Sequence, residues 1–112
     1  MESLQDKQWR FVKLICKLVA KADELGYELT YGDAYRDPRL HGAMGEKLGY
    51  GHRKSCHKIR LAVDFNLFKN GDYLPTTEHY PPLGEYWESL GGTWGGRFGD
   101  GNHFSLEHEG VK

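Results

Sequence analysis

The run Ile59-Arg60-Leu61-Ala62-Val63-Asp64-Phe65-Asn66-Leu67-Phe68 constrains the fold more than any other segment. Period-two alternation sends Leu61, Val63 and Phe65 to one face of a strand and Arg60, Ala62, Asp64 and Asn66 to the other. The strand, over roughly 59–68, runs into Lys69-Asn70-Gly71-Asp72 and then Tyr73-Leu74. Asn-Gly between apolar strand residues predicts a hairpin, because both turn positions tolerate positive φ. An apolar strand of this kind must be covered, and two helical patterns offer the cover.

The first spans residues 3–25, where Leu4, Phe11, Val12, Ile15, Leu18, Val19, Ala22 and Leu25 recur at helical spacing and predict one apolar stripe for the core. Trp9 falls on the opposite side. Ser3 or Asp6 caps the start and Gly26 ends the helix. The second begins at Pro81-Pro82, continues through Leu83, Tyr86, Trp87 and Leu90, and stops at Gly91-Gly92. Tyr27, Leu29 and Tyr31 predict a short strand running into Tyr35-Arg36, and His103–Glu107 a final strand. Residues 37–56 read as a long irregular segment and Trp94–Asn102 as a glycine-rich loop. The expected architecture is α+β, a small antiparallel sheet packed against helices.

With 112 residues the chain suits one domain, residues 1–112, and its 15 aromatic residues argue against disorder. No apolar run reaches the roughly 20 residues of a membrane-spanning helix. The opening Met-Glu-Ser-Leu-Gln-Asp lacks the basic-then-apolar order of a secretory signal, so the expected location is the cytoplasm of the producing cell. Net charge is −1, with a basic excess confined to residues 1–60, which speaks against a nucleic-acid partner. Cys16 and Cys56 are too few for a disulfide framework, and Cys16, in an apolar helical stretch, reads as a buried thiol.

Three segments place polar groups that packing alone does not explain. Asp64 is flanked by Ala62, Val63 and Phe65, and burying its carboxylate requires a cation, a metal or several donors. His57 precedes the same strand, Asp100 stands three residues before His103 at a loop-to-strand junction, and Arg36 follows the Tyr27–Tyr31 strand as a fixed positive charge. His57, Asp64 and His103 form a two-histidine, one-carboxylate set of the kind that suits Zn²⁺ and leaves a fourth position for water. Zinc brings the pKa of that water to about 7. Asp100 can then take its proton and deliver it to a leaving amine, and Arg36 can stabilise a carbonyl oxygen under attack. Structural alternatives stand beside each residue: His57 as an exposed loop histidine, Asp64 paired with Arg60 or capping a turn, Asp100-Gly101 as a simple turn. His41, His52, His79 and His108 read as surface residues, with His79 the rival ligand.

Ser55-x-His57-x6-Asp64, with Ala62 two before the aspartate, followed by Asp100-x-x-His103, resembles the zinc D,D-carboxypeptidase/L-alanyl-D-glutamate endopeptidase family. This is the VanY-like and phage-endolysin group, whose metal-binding core is shared with the hedgehog signalling domain. Gly32-Asp33-Ala34-Tyr35-Arg36, Leu83-Gly84-Glu85-Tyr86-Trp87 and Trp94-Gly95-Gly96-Arg97-Phe98 are similar to segments of its small phage and prophage members, so the likeness covers roughly 8–107. The resemblance implies His57, Asp64 and His103 as zinc ligands, Asp100 as catalytic base, Arg36 as oxyanion and substrate-orienting residue, and Ser55 as a substrate hydrogen-bonding residue. It implies hydrolysis of a peptidoglycan stem-peptide bond next to a D-amino acid. Aspartate rather than glutamate at the base position looks more like the endopeptidase branch than the D-Ala-D-Ala carboxypeptidases. Cys56, between Ser55 and His57, is unusual for the pattern; packing is its preferred role and approach to the metal the alternative. The expected enzyme is a monomer without a wall-binding module, acting on the wall after release. The alternatives are a non-catalytic zinc-binding module on the same scaffold, opposed by the presence of Asp100, Arg36 and Ser55, and a histidine-metal nuclease, opposed by the charge.

Overall fold

The computed structural model describes residues 2–32 and 59–111. Helix α1 spans Leu4–Glu24, and a capping box starts it: Asp6 N–H donates to Ser3 Oγ at 3.1 Å while Ser3 N–H donates to Asp6 Oδ2 at 3.2 Å. Leu25 is the C-cap and Gly26, at φ +84°, turns the chain out. Strand β1 covers Glu28–Tyr31, β2 Ala62–Lys69 and β3 Asp72–Leu74. A 3-10 turn over Thr77–His79 leads to helix α2, Pro81–Ser89. Strand β4, Thr93–Trp94, a second 3-10 turn over Gly95–Phe98, and β5, His103–Ser105, complete the described elements.

All pairings are antiparallel, in the order β1-β2-β5-β4, with β3 also on β2. The hairpin expected at Asn70-Gly71 is present, with φ of 54° and 83° at the two turn residues. β2 is the central strand. Phe65, Leu67 and Val63 on one face join Phe11, Leu14 and Leu18 of α1 and Trp87 of α2 in the core. Aromatic rings tie the layers: Phe104 lies 6.1 Å from both Phe65 and Trp87, and Trp87 meets Phe11 edge-on at 5.8 Å. Tyr80 O–H donates to the Phe65 carbonyl at 2.8 Å, and Trp87 Nε1–H to the Ser105 carbonyl at 3.0 Å.

The α+β expectation holds, and four details differ. The buried stripe of α1 is centred on Phe11, Leu14, Leu18 and Ala22, while Val12, Val19 and Leu25 are exposed. The sheet and α2 engage only one side of the helix, and those three apolar residues stand on its flanks. Cys16 shares that outward side and is an exposed thiol rather than a buried one. Trp94–Asn102 is not loop throughout: Trp94 pairs with Phe104 in β4, and Gly95–Phe98 forms a 3-10 turn. The central strand itself starts at Ala62, because Arg60 turns the chain at φ +59°.

Candidate metal centre

Asp64 and His103 are direct partners in the antiparallel register of β2 and β5. Side chains of such a pair share one face of the sheet. Asp64 alternates with Val63 and Phe65 and so projects from the face opposite α1. Its Oδ1 lies 3.3 Å from His103 Nδ1, with the two side chains only 14% and 8% exposed. A carboxylate and an imidazole held this close are an ion pair when the ring is protonated, and a pair of metal donors when it is neutral. Two ligands about 2.0–2.1 Å from one tetrahedral ion lie about 3.4 Å apart, so the observed separation and the donor chemistry both fit Zn²⁺.

Backbone bonds fix the pair from both sides. Gly32 N–H donates to the Asp64 carbonyl at 2.7 Å, and a Cβ at Gly32 would stand 3.2 Å from Asp64 Cβ. On the other side, Phe65 N–H donates to the Asn102 carbonyl at 2.9 Å, extending the β2–β5 ladder past His103. The turn before β5 is held along its length. Asp100 N–H donates to the Gly95 carbonyl at 2.9 Å and His103 N–H to the Asp100 carbonyl at 3.1 Å. Gly101 N–H donates to Thr77 Oγ1 at 3.0 Å, and the buried Trp94 Nε1–H donates to the Gly101 carbonyl at 2.8 Å. The exposed Asp100 is thereby fixed at the lip of the turn, with its backbone bonded to the buried His103. Nearby, burial is the main cause that pushes the Tyr80 hydroxyl up to about 12.

The structure brings together Asp64 and His103 and fixes the backbone of Asp100 to the latter. Arg36, Ser55, Cys56 and His57 lie outside the described residues, as do His41 and His52. Among the described residues no group of three or more His, Cys, Asp or Glu is placed to hold a metal, so His79 does not complete the pair. It sits on the 3-10 turn, 3.8 Å from Glu78. His108 is half-buried, its Nδ1 3.2 Å from Lys7 Nζ. Sequence reasoning missed Thr77 and Trp94 as supports of the turn. Trp94 carried a signal, a large aromatic opening a glycine-rich run; Thr77 carried none.

No curated protein matches this chain. The model of one family, described as D-alanyl-D-alanine carboxypeptidase, matches residues 49–106, slightly more than half of the chain. The matched region contains β2 to β5 and with them Asp64, Asp100 and His103. The chain therefore belongs to the D-alanyl-D-alanine carboxypeptidase family of peptidases.

Proposed function

We propose that this protein is a zinc-dependent peptidoglycan peptidase that cuts a stem-peptide bond next to a D-amino acid, as an L-alanyl-D-glutamate endopeptidase rather than a D-Ala-D-Ala carboxypeptidase. The observation that carries the reading is the 3.3 Å approach of Asp64 and His103, in register on adjacent strands and buried together. Asp64, His103 and His57 would hold the metal. When bound, Zn²⁺ supplies a Lewis acid that polarises the scissile carbonyl and brings the pKa of a water to about 7.

The chain's own groups do the rest. Asp100 accepts the proton of the attacking water and passes it to the leaving amine, a role that its exposed position at the lip of the His103 turn suits. Arg36 stabilises the negative charge growing on the carbonyl oxygen, and Ser55 hydrogen-bonds the substrate. Aspartate as the base supports the endopeptidase branch. In this reading residues 1–112 form one catalytic domain, monomeric and of phage or prophage type. It is made in the cytoplasm and acts on the wall after release.

Mass spectrometry of muropeptides digested with zinc-loaded protein tests the proposal. New L-alanine carboxyl termini with free D-glutamate amino termini are expected. Release of D-alanine instead would assign the carboxypeptidase activity, and the absence of any new terminus at full zinc occupancy would remove the enzyme reading.

A further inference from the structure

The inner side of α1 is taken by the core, but its outer side carries a second pattern. Between Lys7 and Lys21 the helix holds five basic residues and no acidic one. Trp9, Val12 and Val19 are 58%, 62% and 41% exposed, with the exposed Cys16 among them. At about 100° of rotation per residue these four form one continuous apolar strip along the helix, and Arg10, Lys13 and Lys17 form a basic strip beside it. The apolar strip borders a groove of about 580 Å³ whose lining includes Ile15, Cys16, Val19 and Tyr31 together with the acidic Asp23 and Glu28, and Tyr31 is itself 68% exposed. Arg10 is engaged by Glu2, and Lys21 by Glu24. Among the described residues Lys13 and Lys17 form no ion pair.

We propose that this face of α1 docks the protein peripherally on an anionic lipid bilayer. The two strips together select that partner. A soluble polyanion rewards the lysines and leaves Trp9, Val12 and Val19 in water. A second copy laid against the apolar strip sets the two lysine rows near each other, where like charges repel. An anionic headgroup layer takes both, with cations at the phosphates and the tryptophan and valines at the acyl boundary. Because Asp64 projects from the sheet face opposite α1, docking leaves the candidate metal centre directed away from the lipid.

The test uses the full chain and vesicles of phosphatidylglycerol or phosphatidylcholine, and it needs no catalytic activity. Trp87 and Trp94 are 0% and 3% exposed, so Trp9 is the reporter. With phosphatidylglycerol the expected result is a blue shift of Trp9 emission and quenching by brominated acyl chains; with phosphatidylcholine neither occurs. Lys13→Gln with Lys17→Gln should weaken binding about thirtyfold. Val12→Ser should weaken it on the order of tenfold. All three side chains face solvent, so the helical signal and the melting temperature should stay at the parent values. An unshifted Trp9 at every phosphatidylglycerol content overturns the proposal. So does equal binding of soluble poly(glycerol phosphate) without a Trp9 shift, or a concentration-dependent dimer abolished by Val12→Ser in a chain that ignores vesicles.

Discussion

Gly95 stands where the turn before β5 folds back on itself, and an alanine there probes how tightly His103 is seated. A Cβ at this position would overlap the Asp100 carbonyl oxygen and lie 2.7 Å from His103 Cβ. Ordinary contact begins near 3.4 Å, so His103 would have to retreat by roughly 0.7 Å in an interior packed to crystal density. The Asp100 carbonyl has little freedom to yield, because it accepts the His103 N–H at 3.1 Å. Overpacking of this kind costs about 1–3 kcal/mol, and each kcal/mol lowers the melting temperature of a domain this size by about 4–8 °C. Gly99→Ala is the matched control: its φ of +82° makes an L side chain strained, but the added Cβ meets nothing within 4 Å. It should cost about 1 kcal/mol and leave His103 where it is. Thermal melts of the three proteins, with zinc titrations at a temperature where all are folded, separate the two effects. Gly95→Ala should lose stability and metal affinity together, and Gly99→Ala stability alone. A Gly95→Ala protein matching the parent in both would refute the proposed role of this turn in seating His103.

Trp94→Phe removes the buried N–H that the Gly101 carbonyl accepts at 2.8 Å and puts a smaller ring where the indole packs against Gly84 and Gly96; chemical denaturation should show a loss of at least about 1–3 kcal/mol. Tyr80 gives an alkaline signature. Burial raises its folded pKa to about 12 from an unfolded value near 10, so its contribution is complete below pH 10 and is lost as pH rises towards 12. Unfolding free energy should fall by about 2–3 kcal/mol over that window, and Tyr80→Phe should flatten that fall. Asp100→Ala should bind zinc as the parent does and lose at least about a hundredfold in muropeptide hydrolysis; loss of metal affinity with activity retained would count against its role as base.

Local features were legible in the sequence. Asn70-Gly71 specified the hairpin through positive φ, Ser3 and Gly26 bounded α1, and Pro81 with Gly91 bounded α2. What escaped depends on contacts between distant segments. The rotation of α1 about its axis is set by which side the sheet and α2 cover, and its sequence is apolar on the flanks as well, so Val12, Val19 and Cys16 read as core. The run Trp94–Asn102 read as loop because glycine usually signals conformational freedom. Here Gly95 admits the Asp100 carbonyl, and Gly96 admits the Trp94 ring. The carboxylate inside an apolar strand marked Asp64 as exceptional, and the aspartate three residues before it marked His103. That the two are cross-strand partners follows from the β2–β5 register, which neither segment encodes alone.

The central claim, that Asp64 and His103 belong to one metal site, is tested most directly by zinc stoichiometry. Protein stripped with chelator, reloaded and freed of excess metal should retain one Zn²⁺ per chain. His103→Ala and Asp64→Ala, each verified as folded by circular dichroism, should retain none. Full retention of zinc by either variant would contradict the account.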